Sequence, residues 1–171
     1  NNMEDTRGFF GEGYEDAVRG NRIPDDTYHL VITGNLGEAP FSKPDRPAVQ
    51  LETEVASGEY VGRRGPRVTL QLGAHSYTSK SGKAIQVTAE EEVKNLLADV
   101  RAIHGIPAPT IPAGLDDTET LDAVADALVG DEFIAKVTTN KNDFQNAGYY
   151  RALDDPPKGF TLAKDLEEFR V

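Results

Sequence analysis

Four side chains in the span 60–67 set the chemistry to look for in this sequence: Tyr60, Arg63, Arg64 and Arg67. A guanidinium presents a planar fork of donors to phosphate, and an exposed ring offers a face on which a base can stack. A second group of the same kind follows at Tyr77, Lys80 and Lys83, and Lys43 with Arg46 stands ahead of the first. Later in the chain, Phe144, Tyr149 and Tyr150 fall near Lys136 and Arg151. Repeated pairing of cation and aromatic ring is the combination that sequence-tolerant binding of a single nucleic-acid strand requires.

Catalytic patterns are missing. His29, His75 and His104 lie far apart and form no metal-ligand spacing, and His104 at a helix end reads as a favourable C-terminal cation. Ser81-Gly82-Lys83 lacks the leading glycine and the Ser/Thr of a phosphate loop, and no Gly-x-Ser-x-Gly elbow occurs. The pairs Asp25-Asp26, Asp116-Asp117 and Asp154-Asp155 have neighbours typical of turns and caps. The expectation is a binding protein, not an enzyme, with no cofactor and no metal.

Composition allows this. At 171 residues, 38% hydrophobic and 27% charged, the chain fits one globular domain with a real core. No run approaches the roughly 18 apolar residues of a membrane span, and no signal peptide is visible. The absence of cysteine excludes disulfides and thiolate zinc sites and fits a reducing compartment. The net charge of −11 is unevenly spread: residues 41–88 carry seven basic side chains against four acidic ones. A polyanion responds to the local patch, since a Debye length of about 8 Å screens distant charge.

These side chains need elements to hold them. Residues 1–26, rich in glycine and acid, read as a flexible arm, with Phe9 and Phe10 expected to pack on the domain. A first strand alternates through Tyr28, Leu30 and Ile32, which makes Tyr28 a core residue, and Gly34-Asn35-Leu36-Gly37 is expected to end it. Pro40, Pro44 and Pro47 mark a loop holding Lys43 and Arg46. Val49, Leu51, Thr53 and Val55 alternate with polar residues, as do Val68, Leu70 and Leu72, so two half-buried strands flank a glycine-bearing hairpin. Ala74–Val87 reads as a further hairpin or as a long loop.

Helix then replaces strand. Thr88 and Glu91 form a capping box ahead of an apolar stripe at Val93, Leu96, Leu97, Val100 and Ile103, with Gly105 and Pro107 as the stop. A second helix is expected from near Thr118 to Gly130. Strands return at Phe133–Thr138 and Ala147–Leu153. Tyr149 and Tyr150 point to opposite faces, so one of them belongs to the core. Neither helix is basic, so neither reads as a groove-reading helix.

Strands, helices, then strands exclude a doubly wound parallel sheet. The expected class is mostly β with inserted helices. Its architecture is an OB-fold-like five-stranded Greek-key barrel over 27–157, with a two-helix insert between strands 3 and 4. Residues 158–171 form an acidic tail.

From about Thr27 to Leu153 the chain resembles a family of tailed-phage OB-fold single-stranded DNA-binding proteins, formerly a phage domain of unknown function. The resemblance rests on Tyr28–Thr33, Leu51–Val55, the turn Gly58-Glu59-Tyr60-Val61-Gly62-Arg63-Arg64, the step Gly105-Ile106, Val129–Val137 and Tyr149-Tyr150-Arg151. It implies sequence-tolerant binding of single-stranded DNA during phage replication or recombination, in the host cytoplasm. It also implies that an acidic C-terminal segment ending in an aromatic recruits replication or recombination proteins. Here the tail carries Phe169 but ends in Arg170-Val171, and Leu162, Leu166 and Phe169 share helical spacing, so a short packed helix is the competing reading. Two other readings stay open: a virion tail or decoration protein, and a protein-binding OB-like adaptor.

Overall fold

The computed structural model describes residues 22–162. Seven strands and two helices follow in the order β1 (Asp26–Glu38), β2 (Ala48–Val55), β3 (Val68–Gln71), β4 (His75–Thr78), β5 (Ala84–Val87), α1 (Ala89–His104), α2 (Asp117–Leu128), β6 (Glu132–Thr139) and β7 (Gln145–Arg151). Five strands form one antiparallel sheet in the order β3-β2-β1-β6-β7. The sheet curls until its edge strands β3 and β7 approach each other, giving a nearly closed barrel. The segment 74–87 is a hairpin: β4 and β5 pair only with each other, as a two-stranded ribbon.

Curvature originates in β1. Instead of ending at Gly34–Gly37, the strand continues to Glu38 and pairs with β2 across two register shifts, at Ile32/Gly34 and Asn35/Gly37. Each shift is a bulge that bends the strand and raises its twist, and Gly37 takes the left-handed φ of +79° that a side chain would resist. Asn35 fixes the bend. Its Oδ1 accepts from the Gly37 amide at 2.8 Å, while its Nδ2 donates to Asp122 at 2.9 Å and Asp126 at 2.8 Å on α2. The bent strand thereby serves both β6, along its first half, and β2, along its second.

The core follows the expected alternation. Val49, Leu51, Thr53 and Val55 are buried on β2, with Val68 and Leu70 on β3, and Tyr28, Leu30 and Ile32 on β1. Thr53 is buried without cost because its hydroxyl donates to the Pro66 carbonyl at 2.7 Å. Residues 22–26, assigned to the arm from sequence, belong to the barrel. Ile23 is buried, its carbonyl accepts from Gln145 Nε2 at 2.7 Å, and Asp25 accepts from the Thr139 amide and hydroxyl at 2.8 and 2.7 Å. The Thr139 and Gln145 side chains hold the Asp25 carboxyl below its ordinary pKa. Phe9, Phe10, Leu166 and Phe169 lie outside the described residues.

Both helices start on capping boxes, Thr88 with Glu91 and Asp116 with Glu119. In α2 the apolar face is buried through Leu121, Val124, Ala125 and Leu128. The α1 stripe is only half used: Val100 and Ile103 are buried, whereas Val93 and Leu97 remain exposed. Asp99 sits beside this packed half. Burial, and then the Glu92 carboxylate, push its pKa up to about 6. The same helix face meets Tyr150, whose pKa is raised by burial and then by Asp99.

A carboxyl that holds its proton more tightly folded than unfolded loses stability as pH climbs from about 4, its unfolded value, through 6. Asp99→Asn should therefore be more stable than the parent at pH 7, on the order of 1 kcal/mol because solvent still screens part of the carboxyl. The gain should shrink towards pH 4. Urea denaturation at both pH values measures it; an equal or reversed difference at pH 7 contradicts the assignment.

Candidate nucleic-acid interface

Near-closure of the sheet leaves a groove of 550 Å³ across the seam. Its walls are Pro40 and Phe41 from the β1–β2 loop, Gln50 of β2, Arg67 and Thr69 beside and on β3, Asn140 and Phe144 from the β6–β7 turn, and Gln145 and Asn146 at the start of β7. Two phenylalanine rings thus face one cavity, Phe41 at 50% and Phe144 at 65% exposure. Single exposed rings are ordinary, but two on one groove make the kind of exposed apolar surface that marks a binding site.

Each ring is held by local chemistry. Asn140 Oδ1 accepts from the amides of Asn142 and Phe144 at 2.9 and 3.0 Å, and the Asn140 amide donates back to the Phe144 carbonyl. Such an asparagine-closed turn fixes the backbone and leaves the Phe144 ring pointing away from it. The Phe41 loop is closed by Ser42, whose hydroxyl accepts from the Ala48 amide at 3.0 Å, and by reciprocal backbone bonds between Lys43 and Arg46. Arg67 Nη1 donates to Gln50 Oε1 at 3.3 Å, and Gln50 Nε2 donates in turn to Thr69 Oγ1 at 3.3 Å. A neutral amide therefore orients the guanidinium, and among the described residues no carboxylate forms an ion pair with it.

The structure separates side chains that adjoin in sequence. Arg63, Arg64 and Arg67 do not make one patch. The chain folds back over the end of β2 (Val55 amide to Arg63 carbonyl, 2.8 Å; Gly65 amide to Thr53 carbonyl, 3.1 Å), which sets Arg63 beside Tyr60 and leaves Arg64 and Arg67 on the outward face of β2, near Glu52 and Gln50 respectively. Arg63 lies 5.9 Å from the Tyr60 ring centre. Arg64, exposed, shares a hollow with Glu52, Glu54 and Thr33 and stands 3.9 Å from Glu52. Only Arg67 reaches the groove. Tyr60 is not an open platform: it is half-buried against the core, edge-on to Tyr28 at 6.2 Å.

Arg46 is likewise committed inward. It donates to the Leu72 carbonyl at 3.0 Å and the Gly73 carbonyl at 3.1 Å, and pairs with Glu92 at 3.1 Å, tying the loop to β3 and α1. The backbones are so close there that a Cβ on Gly73 would stand 2.2 Å from the Asp45 carbonyl oxygen. Arg151 is held by Asp155. Tyr150 packs edge-on to Phe133 at 5.5 Å and donates to the Ala147 carbonyl, so Tyr149 is the exposed member of the pair, with Lys136 Nζ 5.7 Å from its ring centre. On the ribbon, Tyr77 is exposed and stacks on His75 at 6.3 Å, and Lys80 and Lys83 are exposed at the tip. Lys43 is exposed on the Phe41 loop.

Sequence reasoning missed Phe41, Gln50 and Thr69. Phe41 carried a usable signal, an aromatic two residues from Lys43 in a proline-punctuated loop. Gln50 and Thr69 carried none, since outward polar residues of a strand look alike until strands are paired. Among the described residues no group of His, Cys, Asp or Glu is arranged to hold a metal ion. His29 instead bridges Ser57 and Glu132, each at 2.7 Å, and His104 bonds Asp131 at 2.6 Å. No protein-family model matches the chain, and no curated protein matches it.

These placements separate structural from solvent-facing side chains by stability alone. Arg46→Ala and Tyr60→Ala should each cost about 1–3 kcal/mol in urea denaturation, through lost buried hydrogen bonds and lost packing respectively. Arg67→Ala and Phe144→Ala should stay within about 0.5 kcal/mol. Equal losses for all four would contradict the division.

Proposed function

We propose that this chain binds single-stranded DNA, with tolerance for sequence, in the groove across the seam of its barrel. The observation that carries the reading is the pair of exposed rings, Phe41 and Phe144, lining one cavity together with Arg67. Each face can take a base at roughly 1–3 kcal/mol per stack, and the guanidinium can take a phosphate. Gln50, Thr69, Asn140 and Asn146 add amide and hydroxyl groups that hydrogen-bond to any base edge or to phosphate, which suits a ligand of changing sequence.

The architecture supports the same reading. Strand order β3-β2-β1-β6-β7, with both helices between β5 and β6, fits an OB-type Greek-key barrel in which the β4–β5 ribbon and the two helices are inserted between its third and fourth barrel strands. OB barrels take oligonucleotides on the face of their second and third strands, between the loops joining strands 1–2 and 4–5. Here those positions are Gln50, Arg67 and Thr69, the Phe41 loop, and the Phe144 turn. The resemblance to tailed-phage single-strand binders gives the setting: DNA replication or recombination in the host cytoplasm, without a catalytic step. Replication proteins are then reached through the C-terminal tail, which lies outside the described residues beyond Leu162.

Fluorescent oligo-dT titrated at several salt concentrations tests this. Binding should be length-dependent and weaken with salt, and Arg67→Ala should lower the salt slope by about 0.7, one phosphate contact on a single strand. Phe144→Ala should cost about 1 kcal/mol or more. Absence of binding at low salt overturns the reading.

A further inference from the structure

The outward face of β6 and β7 continues beyond the groove. Next to Phe144, Asn146 lies opposite Thr138, and Gly148 lies opposite Lys136. These four positions form a lane on the outside of the barrel. None is acidic, on a chain of net charge −11, whereas the outer face of β2 carries Glu52 and Glu54. At Gly148 the lane is open: a Cβ there would meet nothing within 4 Å.

At the far end the pairing skips. Lys136 faces Gly148 but Ile134 faces Arg151, so Tyr149 and Tyr150 together oppose one residue of β6. This bulge turns Tyr150 into the core and throws Tyr149 out, where 82% of it is exposed. Tyr149 takes a left-handed φ of +52°, a conformation that costs a bulky residue roughly 1–3 kcal/mol and that accumulates at ligand sites. The exposed ring recovers little of that cost by packing. Lys136 and Arg151 border it in a single hollow with Thr27 and Pro157.

We infer that the bound strand runs out of the groove, along the β6–β7 lane, to a second stacking platform at Tyr149, with Lys136 as its phosphate contact. The inference rests on the single-strand reading above and adds the path and length of the ligand. Tyr149 lies five residue steps after Phe144, about 17 Å of strand, equivalent to about five stacked nucleotide steps of roughly 3.4 Å. A strand confined to the groove does not reach Tyr149; one several nucleotides longer does.

Oligo-dT probes of about 4 and about 12 nucleotides, the range of single OB folds, distinguish the two platforms. Tyr149→Asn removes the ring while keeping a residue that tolerates the left-handed backbone, so thermal stability should hold or rise. Phe144→Ala should weaken both probes. Tyr149→Asn should weaken only the longer one, by about five-fold or more, the low end of base–aromatic stacking. Parental affinity of Tyr149→Asn for the longer probe, with Phe144→Ala impaired, overturns the path and leaves the groove reading standing. No binding of either probe by the parent overturns both.

Discussion

The bend in β1 is the constraint from which the rest follows. A straight strand would leave β2 and β6 on the two sides of an open sheet, with β3 and β7 as distant edges. Two bulges, relaxed by Gly34 and Gly37 and pinned to α2 through Asn35, curl the sheet until those edges approach. The groove is the gap that remains. Its two aromatic rings come from segments a hundred residues apart, and only this curvature sets them across one cavity. The Arg46 contacts then keep the Phe41 loop at the seam.

Electrostatics sort the cations by job. Arg46, Arg64 and Arg151 each stand close to a carboxylate, and Arg63 lies by Tyr60. Arg67 is oriented by an amide, and Lys136 stands by an aromatic ring. An uncompensated cation on an acidic protein is a local positive field, felt within about 8 Å at physiological salt, and distant acids do little to cancel it. Net charge of −11 and the proposed affinity for a polyanion are therefore compatible, and the strong acidity elsewhere would oppose attachment of a polyanion away from the proposed site.

Much of the fold was legible. Period-two alternation located β2, β3 and β6, and the capping boxes located both helix starts, because these signals are local. The course of β1 was misread: Gly34 and Gly37 look the same whether they end a strand or bend it, and only pairing with β2 decides. The residue types of the candidate site were legible, but not how the fold groups them. Arg63, set beside Tyr60, parts from Arg64 and Arg67 because the chain folds back over β2, and Tyr60 is drawn onto Tyr28. The choice between Tyr149 and Tyr150 depended on a bulge that has no signature without a glycine at its left-handed position.

Amide chemical-shift mapping by NMR during titration with oligo-dT tests the central claim most directly, because it locates the ligand without altering the protein. The largest shifts should fall on Phe41, Gln50, Arg67, Thr69 and the Asn140–Asn146 turn, with α1 and α2 unchanged. Shifts centred on the Arg63–Arg64 turn or on the helices, with the seam silent, would contradict the account.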